Sequence, residues 1–290
     1  MSKVTKLIKN HLFEVVLVVP MTLYILGFTV FPILKTIIMG FTDKYTGKFT
    51  LENYYYLFGR PAFTEAIFNT IVFTLISLCF QFVVALGIAM ILKQSFPGKG
   101  ILRALVLMPM GIPTLVSGVI ALYMFGASGY MNEVLFRLGI IETPIIWTTG
   151  GLKGLLIVIL ADTWKVLPTM VLLILAGLEG IPSDLYEAGS IDGAGAMQKF
   201  RYITMPLLKS TVTMSLLFRA VDAFRVFEMP QVMVGQALPF LATYAYEEYG
   251  TFNNPNASGA ASTILLLLIL VFALLYLKYI DKGEGFDVGK

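Results

Sequence analysis

Six long apolar runs alternate with polar connections along this chain of 290 residues. Each run contains about 20 or more predominantly apolar residues, which is the length that an α-helix needs to cross the hydrocarbon core of a membrane. The pattern therefore predicts an all-α polytopic membrane protein with six transmembrane helices. The six segments cover approximately residues 12–38, 66–92, 101–125, 152–178, 206–234 and 260–280.

The composition agrees with this pattern. Hydrophobic residues make up 57% of the chain and charged residues only 13%, whereas about a quarter of the residues in a soluble protein are charged. The mean hydropathy is +0.82. The apolar run of the first segment is longer than the apolar region of a secretory signal, and no A-x-A cleavage site follows it. We therefore expect the first segment to be retained as a transmembrane helix.

Basic residues in the connections predict the orientation, because cytoplasmic loops are enriched in lysine and arginine. Their distribution places both termini in the cytoplasm, together with the connection over residues 179–206. The longer connections over residues 42–64, 126–151 and 235–259 are expected outside. The predicted cytoplasmic side carries Lys3, Lys6, Lys9, Lys93, Lys99, Arg103, Lys199, Arg201, Lys209, Lys278, Lys282 and Lys290.

Several kinds of chemistry lack the residues that they need. The single cysteine, Cys79, excludes an intrachain disulfide, and the single histidine, His11, is too few for a His-rich metal site. The net charge of +3 does not indicate nucleic-acid binding. No G-x-x-x-x-G-K-[ST] phosphate-binding loop is present, and both "FPGKG" and the final Gly-Lys fail its spacing. We expect a chain that is not an enzyme and that binds no metal or cofactor.

Charged residues interrupt two of the predicted helices. The fourth carries Asp162 and Lys165, and the fifth carries Arg219 and Asp222, followed by Arg225 and Glu228. An ionisable residue inside a membrane usually faces the bundle interior or a water-filled route and has a partner. Two interpretations stay open: a buried ion-pair network that fixes helix packing, or residues that contact a transported substrate.

Aromatic and proline residues near these charges add to the candidate pathway. Trp164 and Tyr123 could stack on the C–H face of a sugar ring. Pro109 and Pro113 should disrupt the third helix and free backbone carbonyls, which can line a cavity or simply accompany a packing kink.

The stretch "YEAGSIDGAGAMQKF" (residues 186–200) is a polar, small-residue segment between the fourth and fifth helices. Pro182 suits a helix start, while Gly189 and Gly193 lower helix propensity and predict two short helices around a bend. Pro206 is expected to break the helical pattern before the fifth helix. Small side chains would let a partner's backbone approach closely.

The same stretch resembles the EAA loop of binding-protein-dependent ABC importer permeases, with Gly189 where that pattern often has alanine. Similarity extends from "NT" at residue 69 to "ASGAASTILLLLIL", and the chain resembles the carbohydrate-type permeases of maltose and trehalose systems, the MalF-like subunits. It departs from them at "VMVGQALP", where many relatives have a T-x-G-G-P turn. The residues at matching places in the loop are Glu187, Ala188, Asp192, Gly193, Ala194, Phe200, Ile203 and Pro206.

This resemblance implies a type I ABC importer permease fold that works by alternating access. Residues 1–65 would hold the first helix and an outer loop, residues 66–281 the importer domain, and residues 282–290 a cytoplasmic tail. In the coupling loop, Glu187 would be the polar anchor to an ATP-binding subunit. Ala188, Gly189, Gly193 and Ala194 would provide the close fit near Asp192, while Phe200 and Pro206 would hold the loop on its own helices.

The resemblance also implies the partners. They would be a second homologous permease subunit, two ATP-binding subunits that bind ATP and Mg, and an extracytoplasmic solute-binding protein, within the lipid of a bacterial or archaeal plasma membrane. The cargo would be a sugar, with a disaccharide or oligosaccharide favoured. Two alternatives remain: an ABC importer permease for another solute, and an ion-coupled secondary transporter.

Overall fold

The structure is a computed structural model that describes residues 12–281. The predicted basic residues before Leu12 and the predicted tail over residues 282–290 lie outside this range. Within this range the secondary structure is helical, apart from an isolated β-bridge between Thr42 and Phe49. The prediction of an all-α protein is confirmed.

The first apolar segment is one long helical stretch. It consists of α1 (Leu12–Ile25), a π-helical turn (Leu26–Val30) and α2 (Phe31–Gly40). Its apolar side chains are almost all exposed over this length. Such a surface is unfavourable in water and suited to lipid contact.

The described residues group into two compact units, and the first contains residues 12–59 and 245–264. Its helices approach closely at small residues: a Cβ added at Gly40 would lie 2.8 Å from the backbone nitrogen of Ala260. Next to this crossing, Asn256 Nδ2 donates to the carbonyl oxygen of Met39 at 3.0 Å. Close backbone approach at small residues is typical of helix packing in membranes.

The second unit contains residues 60–244 and 265–281, and its centre is formed by α4 (Pro61–Lys93) and α8 (Gly151–Glu179). Buried apolar side chains form two clusters. One surrounds Phe73, Val158 and Phe240, and the other surrounds Leu92, Ile174, Leu178 and Leu208.

The third apolar segment is not one helix. It is divided into α5 (Lys99–Leu107), a 3₁₀ turn (Met108–Gly111) and α6 (Thr114–Phe125). The predicted disruption at Pro109 and Pro113 is therefore confirmed. Proline causes it because its nitrogen carries no hydrogen to donate and its ring clashes with the preceding turn.

The fifth segment is shorter than predicted. Helix α11 (Met205–Phe224) ends at Phe224, and the short helix α12 (Glu228–Met233) follows. Moreover, Pro206 does not break the helix. It is the second residue of α11, and the helix is continuous with the π-helical turn (Phe200–Thr204) before it. In that turn the N–H group of Met205 donates to the carbonyl oxygen of Phe200, so the hydrogen-bond register is already shifted where the proline N–H group is missing.

Five helical segments of the described residues are long and apolar enough to cross a membrane, over residues 12–40, 61–93, 114–137, 151–179 and 255–279. Helix α11 has 20 residues but carries Lys209, Arg219 and Asp222. The six-span count and the cytoplasmic termini thus stay predictions.

The three connections that are predicted to lie outside also contain helices. The additional helices there are α3 (Glu52–Phe58), α7 (Tyr130–Arg137), α13 (Leu241–Gly250) and the first turns of α14 (Pro255–Tyr276).

Candidate functional site: a buried polar layer and a docking loop

A layer of polar side chains separates the two apolar clusters of the second unit. It is formed by Gln81 of α4, Asp162 of α8 and Arg219 of α11, all of them buried. Gln81 Nε2 donates to Asp162 Oδ2 at 2.9 Å, and Arg219 Nε donates to Gln81 Oε1 at 2.7 Å. Three different helices are therefore joined through one hydrogen-bond network, which we call the polar layer.

Arg219 is the centre of the polar layer. Its Nη2 pairs with Asp162, and its Nη1 donates to Asp222 Oδ2 at 3.0 Å. Asp222 in turn accepts from the exposed Arg225 at 3.3 Å. A buried charge is costly unless it is paired and hydrogen-bonded, so this arrangement neutralises Arg219 and Asp162 inside the bundle.

Lys165 has a different set of partners. Its ammonium donates to the backbone carbonyl oxygens of Pro109 at 3.0 Å and of Met110 at 3.4 Å, and also to that of Ile112. These carbonyls belong to the break between α5 and α6, where the helical hydrogen-bond pattern is interrupted. The carbonyl oxygen of Pro109 also accepts from the backbone N–H group of Ile112 at 3.2 Å. Lys165 therefore supplies a charged donor to the break and attaches α8 to it.

We expect the change Lys165→Met to lower the free energy of unfolding by about 2 kcal/mol, because carbonyls at the break lose charged hydrogen bonds. Lys165→Arg should restore part of the loss. Thermal unfolding of the purified protein in detergent measures the change. The matched control is Lys153→Met, which alters an exposed lysine of the same helix. Equal stability of both methionine variants would contradict the role of Lys165.

A polar cavity of about 280 Å³ lies beside these groups. Its lining is unusual for an apolar bundle, since it combines three acidic and two basic side chains with the end of the helix break. Hydroxyl-rich solutes require this mixture of donors and acceptors. The polar lining residues are Thr114, Asp162, Lys165, Asp222, Arg225 and Glu228.

Two further cavities continue from the polar cavity between α8 and α11. A small one of about 60 Å³ shares Val166 and Asp222 with the polar cavity. It shares other lining residues with a larger cavity of about 620 Å³ that extends to Gly177 and Ser210. The shared residues are Thr169, Leu173, Ser215 and Phe218. The three cavities follow one groove along both helices.

The two aromatic candidates do not join the polar cavity. Trp164 lines a separate, mainly apolar cavity of about 240 Å³ together with Ile120 and Met124. Tyr123 is 79% exposed and lines neither of these cavities. On an α-helix, consecutive residues point in different directions, so Trp164 diverges from Lys165 although the two are adjacent.

The coupling loop, defined as residues 179–206, contains two short helices around a bend, as predicted. Helix α9 (Ser183–Ile191) is followed by α10 (Ala196–Lys199). Gly193 lies between them with φ of +78°, a conformation that glycine adopts at little cost. The backbone N–H group of Ala194 donates to the carbonyl oxygen of Gly189 at 2.8 Å and closes the turn.

One face of α9 packs on its own chain. Tyr186 packs against the apolar cluster around Leu178 and Leu208. A Cβ added at Gly189 would lie 3.1 Å from Ile203 Cδ1. Gly189 therefore faces the π-helical turn before α11. Small size at position 189 therefore serves a contact within the loop itself.

The opposite face of α9 is exposed. Glu187 and Ala188 lie on it, Ile191 is 87% exposed, and Asp192 is exposed directly after the end of α9. Of the residues predicted to hold the loop, Phe200 is half-buried and Pro206 is exposed. An exposed face that combines a carboxylate with small and apolar side chains is typical of a surface that binds a partner.

The segment "VMVGQALP" forms a tight turn in place of the T-x-G-G-P pattern. Gly235 has φ of +50°, and the flanking residues Val234 and Leu238 are buried in the cluster around Phe240. The departure from the common pattern therefore coincides with a well-packed turn.

Comparison with known proteins agrees with this architecture. Residues 81–284 match the sequence profile of the family described as "Binding-protein-dependent transport system inner membrane component". The chain belongs to this family, and it is a permease subunit of an ABC transporter and a multi-pass membrane protein.

Individual relatives have similar lengths. The trehalose/maltose transport system permease protein MalF of Thermococcus litoralis is 33% identical over 272 residues, covering 90% of this chain and 91% of the relative. The arabinooligosaccharides transport system permease protein AraP of Bacillus subtilis is 32% identical, covering 92% and 88%. A crystal structure of a bacterial ABC transporter involved in the import of alginate has the same fold, with a TM-score of 0.84, 21% identity and full coverage of both chains.

The sequence did not single out Gln81 as a functional residue. It is a single amide within a long apolar run. The signal available in the sequence was helical spacing: Gln81 lies eight residues after Phe73 and four before Ala85. Both of these residues are buried in the structure, and Gln81 faces the core with them.

Proposed function

We propose that this chain is the membrane-spanning permease subunit of an ATP-driven importer for a sugar, with a disaccharide or oligosaccharide as the favoured cargo. The observation that carries the proposal is the polar cavity, whose five charged side chains lie within an otherwise apolar bundle. A sugar presents many hydroxyl groups, each both a donor and an acceptor, and such a lining can replace the water that the sugar loses.

The groove along α8 and α11 is the proposed route. Asp162, Lys165 and Asp222 line its polar end, while Arg219 lines the small cavity next to it and pairs with both Asp162 and Asp222. Both interpretations of these charges thus apply to different residues: Arg219 stabilises helix packing, and Asp222 is available to a solute. Neither Trp164 nor Tyr123 lines the polar cavity.

The exposed face of α9 is the proposed contact with an ATP-binding subunit. Glu187 would be its polar anchor, while Ala188 and Ala194 would permit a close fit. Because this chain has no phosphate-binding loop, ATP and Mg would bind to the separate subunit. Closure of that subunit would move α9 and open the cavity towards the outside.

The complete importer would contain a second homologous permease, two ATP-binding subunits and an extracytoplasmic solute-binding protein. The relatives named above are described as transport system permease proteins, which supports a complex of several subunits. One chain has too few long helices to enclose a route, and a second permease would complete its wall. The assembly would lie in the plasma membrane of a bacterium or archaeon.

The proposal is tested by purifying the tagged chain from its native membrane and reconstituting the complex in liposomes with its solute-binding protein. We expect an ATP-binding subunit to co-purify and radiolabelled trehalose, maltose or an arabino-oligosaccharide to be taken up only with ATP. Glutamate and phosphate are the non-sugar controls. Uptake driven by an ion gradient without ATP would contradict the importer, and ATP-driven uptake of a control alone would contradict the sugar cargo.

A further inference from the structure

The lysine that ends α4 has its ammonium group in an unusual environment. Lys93 Nζ is buried and has no hydrogen-bond partner within residues 12–281. It lies 4.3 Å from the centre of the Tyr186 ring, which belongs to α9 in the coupling loop. The face of an aromatic ring attracts a cation at this distance, and the attraction is stronger where water is excluded. The ring is therefore the partner of this ammonium.

Tyr186 is also attached on its other side. Its hydroxyl lies 2.9 Å from Thr204 Oγ1 in the π-helical turn before α11. Thr204 is itself buried. Tyr186 thus joins α9 to the end of α4 and to the start of α11 at the same time, and any displacement of α9 must move these contacts or break them.

The other attachment of α4 is in the polar layer. Gln81 precedes Lys93 by 12 residues, which corresponds to about 18 Å along a helix. The helix between them has no internal proline, so it can transmit a displacement without bending at a break. At its far end, Gln81 contacts both members of the buried pair, Asp162 and Arg219.

We propose that α4 links the coupling loop to the polar layer, with Lys93 and Gln81 as its two attachment points. This inference rests on the proposed function, because it assigns a route for the motion that the ATP-binding subunit imposes on α9. Lys93 is then a positioning residue. It acts on transport through Tyr186 and α4, and it contacts neither nucleotide nor solute.

The test uses the complete complex in liposomes, with trehalose as the transported probe, or maltose where trehalose is not taken up. We expect Lys93→Met to lower the number of sugars transported per ATP by about fivefold, while the ATP-binding subunit still co-purifies in normal amount. Lys93→Arg keeps a cation over the ring and should restore most of the coupling. A merely structural role would lower the yield of the complex and leave the transport-to-ATP ratio unchanged.

The matched control is Lys278→Met. Lys278 Nζ lies 5.3 Å from the ring centre of Tyr279, so this pair has the same chemistry. Both of its residues are exposed and belong to the last helical turn. We expect this change to leave the transport-to-ATP ratio unaltered.

A double-mutant cycle tests the link to the polar layer. Residues as far apart as Gln81 and Lys93 normally have additive effects. If α4 links them, Lys93→Met combined with Gln81→Met should reduce coupling by less than the product of the two single reductions. If Gln81→Met does not fold, Gln81→Asn takes its place. The inference would be overturned if the two reductions multiplied in the double variant, or if Lys93→Met showed normal coupling. In either case, ATP-driven sugar uptake by the parent complex would still support the proposed function.

Discussion

Replacing Arg219 with methionine is expected to lower the free energy of unfolding by about 3 to 5 kcal/mol and to abolish transport. The change removes the guanidinium that pairs with Asp162. The carboxylate would then remain in a buried site within the membrane, with Gln81 as its donor. An uncompensated charge at such a depth is among the costliest defects in a helical bundle.

Two further variants separate this effect from general damage. Arg225→Met removes an exposed partner of Asp222 and should change stability by less than about 0.5 kcal/mol. The double change Arg219→Met with Asp162→Leu removes both buried charges and should recover much of the stability, because no charge is left unpaired. Thermal unfolding in detergent measures all three. If Arg219→Met were as stable as Arg225→Met, the polar layer would not be structural.

Recovery of stability without recovery of transport would show that the polar layer has two separate roles, in helix packing and in transport. The double variant replaces the ion pair between α8 and α11 with two apolar side chains, and it also removes the Asp162 carboxylate from the cavity lining. We expect this variant to be stable and inactive. An active double variant would mean that Asp162 serves helix packing alone.

Reversing the charge of Glu187 is expected to uncouple ATP hydrolysis from transport. Glu187 is exposed on α9, so Glu187→Lys should leave the stability of this chain within about 0.5 kcal/mol of its original value. At an interface with an ATP-binding subunit, a reversed charge should weaken association by at least about tenfold. Co-purification of that subunit, together with uptake per ATP, measures the effect.

Gly189 provides the contrast to Glu187, since its neighbour Ile203 belongs to the same chain. Gly189→Leu should therefore lower the stability of the loop itself by about 1 to 3 kcal/mol through overpacking.

The matched control for Glu187→Lys is Glu179→Lys, which reverses an exposed charge at the end of α8 and outside α9. Normal coupling in Glu187→Lys would contradict the proposed docking face.

The coupling loop could be predicted in detail from its sequence. Its small residues, its two glycines and its spacing are local signals, and local backbone preference is sufficient to produce two short helices around Gly193. The prediction that Pro206 breaks the helix was wrong, because the π-helical turn before it shifts the hydrogen-bond register and the helix continues through the proline. The distinction between exposed Glu187 and inward-facing Gly189 required the position of Ile203.

The polar layer was only partly predictable. Asp162 and Arg219 were evident as charges within apolar runs, and their depth along the two helices suggested that they could meet. Gln81 was missed because an uncharged amide gives no such signal. The partners of Lys165 were missed for another reason: its acceptors are backbone carbonyls, which every residue possesses, and only the break at residues 108–113 exposes them.

Local hydrophobicity and short motifs were sufficient to predict the class of protein, the approximate positions of its long helices and the location of the coupling loop. The packing of the helices was needed to show which charges are buried, which line the cavity and where Trp164 and Tyr123 lie. Those properties depend on the rotation of each helix about its axis and on its packing partners. Contacts such as Lys93 with Tyr186 join residues far apart in the chain, and no local pattern specifies them.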